Sequence, residues 1–211
     1  MTPELIQIQV DSIKLEGILN ISNNVKGVVI FAHGSGSSRH SKRNKFVANV
    51  LNEANIGTLL FDLLTFQEDN DFENRFNIDL LSFRLIAVTE WVLKEHLKNN
   101  FKIGYFGAST GAAAAIQAAS ALGNKISVIV SRGGRPDLAK DFIEKVKAPI
   151  LLIVGGNDDV VLELNKEVFN LIKQEKELKI IKGANHLFEE AGALEEVAEL
   201  AKNWFEKYFL V

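Results

Sequence analysis

The sequence predicts a single α/β domain over residues 1–211, with about eight strands in a mostly parallel sheet flanked by helices and no large cap domain. Three observations predict it. From Gly27 onward, short continuous apolar runs recur; between them lie segments of helical spacing; and only the first twenty residues alternate as a half-buried hairpin would. Strands covered on both faces read as unbroken apolar runs, and strand-helix alternation with short connections needs parallel neighbours joined by right-handed crossovers.

The elements follow in order. Glu4 to Val10 and Ile13 to Asn20 make an opening antiparallel hairpin about an Asp11-Ser12 turn. The buried runs are Val28–Phe31, Thr58–Phe61, Ile103–Phe106, Ile126–Val130, Ile150–Val154 and Leu178–Ile181. Helical spacing covers Lys42 to Ala54, Ile78 to Lys98, Thr110 to Leu122, Leu162 to Gln174 and Ala193 to Phe209. Gln67 to Asn77 reads as one charged surface loop. In such a sheet, ligands bind beyond the carboxyl ends of the strands.

Composition narrows the function. With 211 residues, 47% of them hydrophobic, the chain can fill one core but would be cramped as two domains. A net charge of −3, with no basic block, argues against a nucleic-acid partner. No cysteine is present, which excludes disulfides, thiolate metal ligands and a thiol nucleophile. Met1 to Leu5 lacks the basic start and apolar core of a leader, so a cytoplasmic protein is expected. The most apolar window, Gly107 to Leu122, is mainly alanine broken by polar residues, so no membrane span is expected.

The chemistry is carried by three strand ends. Gly107-Ala108-Ser109-Thr110-Gly111 directly follows one buried run and opens the alanine-rich helix, giving the strand, sharp turn and helix of a nucleophile elbow. Small flanking residues let strand and helix pack closely around a strained serine. Ser109 needs a base, and the base needs a carboxylate to fix its tautomer. Of His33, His40, His96 and His186, only His186 lies between the last strand and the last helix. The acid falls between nucleophile and base in chain order, in Gly155-Gly156-Asn157-Asp158-Asp159. Asp158 is favoured because the glycines before it allow a turn back to His186; Asp159 is the alternative.

An oxyanion hole needs two backbone N–H groups. Thr110 supplies one. The glycine-rich loop His33 to Ser38 supplies the other, from Ser35 or, next in line, Gly34. This loop lacks the Gly-Lys-Ser/Thr ending of a phosphate cradle and the third glycine of a dinucleotide site. His33 reads as a structural histidine bonded to its own loop. No two histidines have metal-ligand spacing, and the chemistry calls for neither metal nor cofactor.

These residues carry a resemblance over nearly the whole chain. In the stretches Phe31 to Ser41, Phe61 to Thr65, Gly107 to Gly111, Ser131 to Leu138 and Asn185 to Glu190, it is similar to small α/β-hydrolases of the dienelactone-hydrolase-like group. The resemblance implies a Ser109, Asp158 and His186 triad. It departs from the dienelactone hydrolases proper, whose nucleophile is a cysteine, so their substrate does not carry over.

The connection Arg132 to Ala148, where lids commonly sit, is short. An uncovered site suits small or polar acyl substrates. A carboxylic ester is expected, with a thioester, an amide, or a binding role on a hydrolase fold as the alternatives. Arg39 and Arg135, with Arg132 and Arg43 on the same rim, are candidates for holding an anionic substrate group, against the plainer reading of surface ion pairs with Glu68, Asp69, Asp71, Glu73 or Asp137.

Overall fold

The computed structural model describes residues 3–22, 25–96 and 102–210. Strands β1 (Glu4–Val10) and β2 (Ile13–Asn20) pair antiparallel, Val10 opposite Ile13 across the turn. Then come β3 (Gly27–Ala32), α1 (Lys42–Glu53), β4 (Gly57–Phe61), α2 (Phe66–Asp69) and a 3-10 turn at Phe72–Phe76. Helix α3 (Ile78–His96), β5 (Lys102–Ala108), α4 (Thr110–Leu122) and β6 (Ile126–Arg132) form the centre. A 3-10 turn (Pro136–Ala139), α5 (Lys140–Ile143), β7 (Ile150–Gly155), α6 (Asp159–Leu171), β8 (Lys176–Ile181) and α7 (Ala193–Phe209) complete the chain.

The strands lie in the order β1-β2-β4-β3-β5-β6-β7-β8. β2 meets β4 antiparallel, and every pairing from β4 to β8 is parallel. This is the α/β-hydrolase fold, with no lid among the described residues. Side chains alternate between two buried faces, as a period of two requires. Ile30, Tyr105, Ile129 and Leu152 face α3 and α4, whereas Phe31, Phe106, Val130 and Ile153 face α1 and α7. The alanines of α4 let that helix sit low on the central strands, with Ala112 to Ala115 fully buried. On the same face the buried hydroxyls of Thr89 and Tyr105 pair at 2.6 Å, which satisfies both in the core.

The largest differences from the sequence reading are at α6, which also ends at Leu171 instead of Gln174, and at the charged stretch before α3. Helix α6 begins at Asp159, three residues before Leu162. The stretch Gln67 to Asn77 is not plain loop. Thr65 and Glu68 form a reciprocal capping box on α2, and Asp71 caps the following 3-10 turn. Residues 97 and 98, read as the last turn of α3, lie outside the described residues.

Candidate active site

Between β5 and α4 the chain reverses within one residue. Ser109 has φ 52° and ψ −122°, a conformation that costs about 1–3 kcal/mol in a non-glycine residue and persists only where its surroundings impose it. Three bonds impose it: Ser109 N–H donates to Arg132 O at 3.3 Å, and Ser109 O accepts from Ala112 and Arg135 N–H, each at 3.1 Å. The two glycines make room. A Cβ on Gly107 would stand 2.5 Å from Ala112 Cα, and one on Gly111 would stand 2.1 Å from Ala32 O. Ser109 is therefore held half-exposed at the positive end of α4.

Beyond the neighbouring strands, His186 Nδ1 and Asp158 Oδ2 lie 2.7 Å apart. Asp158 is the residue just before α6, whereas Asp159 is exposed in the first turn and makes no such contact. The β7 and β8 loops are stitched together by Gly156 N–H to Ile181 O at 2.8 Å and Asn157 N–H to Ala184 O at 2.9 Å. Gly133 fills the space beside the imidazole, where a Cβ would come within 3.5 Å of His186 Cε1. Among the described residues no hydrogen bond joins Ser109 Oγ to His186. Such catalytic contacts are often long in free enzymes and tighten in the substrate complex.

The chain beyond His186 is held by a residue to which sequence reasoning gave no such part. Buried Arg132 lays its guanidinium over the Phe188 ring, 5.6 Å from the centroid, and Phe188 itself has φ 55°. Burial, with Arg43 nearby, pushes the Arg132 pKa down to about 10. It remains charged at neutral pH. Nothing in the spacing of Arg132 and Phe188 along the chain signals this stacking.

The glycine-rich loop His33 to Ser38 crosses over the elbow. Gly34 presses on Ser109, where a Cβ would meet Ser109 Cβ at 3.0 Å. Ser35 N–H donates to Thr110 Oγ1 at 3.0 Å. His33 braces the loop from behind: its Nε2 accepts the Leu63 N–H at 3.0 Å, so Nδ1 carries the proton and donates to Gly34 O at 3.0 Å. Both roles require neutral imidazole. Burial lowers the His33 pKa below its ordinary 6.5, outweighing the Gly34 bond and the fields of Asp62 and Asp69. Below that pH the unfolded chain binds the proton that the folded state refuses. The His33 contribution to stability is full above about pH 6.5 and is lost as the pH drops. Urea midpoints at about pH 7.5 and about pH 5.5 should differ in that sense. His33→Gln, which keeps an acceptor for Leu63 but does not titrate, should flatten the difference.

The candidate arginines Arg39 and Arg135 are engaged with carboxylates. Arg39 pairs with Asp62 and Glu16, and its N–H donates to Asp62 Oδ1 at 2.6 Å. Arg135 grips Asp137 through two bonds of 2.9 and 2.8 Å. Beside the loop opens a groove of about 770 Å³, lined by Ser37, Ser38, Leu15, Leu64 and the exposed Phe66. Neither Ser109 nor His186 lines it.

A family model described as the dienelactone hydrolase family matches residues 15–209. The chain belongs to that family. This family member is 47% identical to a dienelactone hydrolase from Anabaena variabilis, whose crystal structure superposes with a TM-score of 0.94 over 98% of both chains. An α/β serine hydrolase without lid from Xanthomonas campestris shares the fold at 20% identity, with a TM-score of 0.78 over 98% of this chain and 94% of its own. Proteins of two Mycobacterium tuberculosis strains, named putative phosphoribosyl transferase, are 50% identical over 202 residues, covering 96% of this chain and 46% of theirs. The chain thus spans about half the length of those relatives. Family and fold are those of a hydrolase.

Proposed function

We propose that this family member is a serine esterase acting on small or polar acyl substrates through Ser109, His186 and Asp158. The observation that carries the reading is the 2.7 Å contact of His186 with Asp158 at the same sheet end as the strained Ser109. With Nδ1–H donated to Asp158, Nε2 is left free to take the Ser109 proton as Oγ attacks the acyl carbonyl. The oxyanion develops at the first turn of α4, where the Thr110 N–H has no partner within the helix. Collapse expels the alcohol, protonated by His186. Water then enters by the same route and releases the acid.

The absence of a lid on the described fold supports small or polar acyl groups, because nothing covers a long apolar chain. We assign the transferase named in the mycobacterial proteins to the part of them that this chain does not span. A fluorophosphonate probe tests the central claim. Mass spectrometry should find one adduct, on Ser109, and folded protein that takes none would overturn the reading. A panel of esters, thioesters and amides then ranks the acyl donors, with esters fastest.

The carboxylates on Arg39 and Arg135 support the plainer role for both. Arg39→Ala and Arg135→Ala should slow hydrolysis of anionic and neutral esters by the same factor. A loss confined to anionic esters, read as kcat/KM, would restore the substrate-binding role.

A further inference from the structure

The reaction outlined above leaves one buried polar group beside the nucleophile unused. Thr110 is 2% exposed, and its Oγ1 accepts the Ser35 N–H at 3.0 Å. A hydroxyl has one proton to give and room for two acceptances. Among the described residues no acceptor takes the Thr110 proton. Thr89 in α3 shows the usual alternative, giving its hydroxyl proton to Leu85 O one turn back at 2.7 Å. Thr110, as the first residue of α4, has no preceding helical turn to offer such a carbonyl. A buried donor without an acceptor among the described residues thus stands on the residue next to Ser109.

The oxyanion reading expects Ser35 to aim its N–H at the developing charge. Here the N–H is aimed at Thr110 Oγ1, so the loop's donor meets the hydroxyl of the residue next to Ser109. We propose that the Thr110 hydroxyl is itself a catalytic donor. The residue gives both its N–H and its O–H to the oxyanion, and the Ser35 N–H acts through the hydroxyl by polarising it. A hydroxyl that accepts one bond becomes a stronger donor in the next, and an O–H facing a full negative charge makes a short, strong bond. The proposal rests on Ser109 being the nucleophile.

Thr110→Val keeps the shape and removes the proton; Thr110→Ser keeps both hydroxyl and proton. With p-nitrophenyl acetate, the valine variant should lose about 10²-fold in kcat with little change in KM, and the serine variant should retain most of it. A thionoester, whose sulfur accepts hydrogen bonds poorly, should lose much less from the same valine substitution. Fluorophosphonate inactivation should slow in parallel with ester hydrolysis, on protein whose circular dichroism matches the parent.

Other outcomes overturn the proposal. Equal losses on ester and thionoester would make the hydroxyl a positioning group for the loop. An unchanged or faster valine variant would make it a latch over the Ser35 N–H. If the parent protein takes no label at Ser109, the serine-esterase reading falls and this proposal with it. If the parent labels and the valine variant labels equally fast, this proposal alone falls.

Discussion

Ser109→Ala should lower kcat on an activated ester by about 10⁶-fold while leaving the fold intact. The loss is large because the attacking oxygen is removed and nothing else near the elbow replaces it; the chain has no cysteine. The fold survives because the strained backbone is imposed by Arg132 O, Ala112 N–H and Arg135 N–H rather than by the serine side chain. Alanine even relieves the elbow of a polar group. The measurement is single-turnover hydrolysis with unfolding midpoints in parallel, and retained turnover in folded Ser109→Ala would move the nucleophile elsewhere.

Asp158→Asn should cost about 10⁴-fold in kcat. The amide presents a donor or a neutral acceptor to His186 Nδ1, so the ring loses the partner that keeps its proton on that side and stabilises the imidazolium. Asp158 has a side chain only 15% exposed, so water does little to replace it. Asp159→Asn, one residue on, should leave kcat close to the parent value. The paired comparison reads the choice between neighbouring aspartates directly, and a reversed order of losses would assign the acid to Asp159.

Much of this arrangement was legible in the chain, for identifiable reasons. Buried parallel strands are unbroken apolar runs, so all eight strands stand where the runs predict them, lengthened by one or two residues at some ends. The alanine-rich α4 runs from Thr110 to Leu122, as its spacing predicts. The spacing starts α6 late because its first turn, Asp159-Val160-Val161, reads as part of the preceding loop, although an acidic residue there suits the positive end of a helix. The turns at Phe66–Asp69 and Phe72–Phe76 were hidden by their charge, although Thr65, Glu68 and Asp71 are local capping signals. Contacts between distant segments were not legible at all. Arg39 meets Glu16 and Asp62 across 23 residues in either direction, and Ser35 meets Thr110 across 75. No periodicity encodes such pairs, because they depend on how separate strands are ordered side by side.

That ordering also governs how the protein loses its activity when stressed. The glycine-rich loop follows β3, the elbow follows β5, and Asp158 and His186 follow β7 and β8, all within one sheet. Backbone bonds such as Ser109 N–H to Arg132 O at 3.3 Å and Asn157 N–H to Ala184 O at 2.9 Å tie the elbow and the Asp158 loop to their neighbours, and the Ser35 N–H ties the loop after β3 to Thr110 Oγ1 at 3.0 Å. A site assembled this way has no separable piece to melt first. Heating or urea should silence turnover and erase the circular dichroism signal along one curve, which makes residual activity a faithful gauge of the intact fraction.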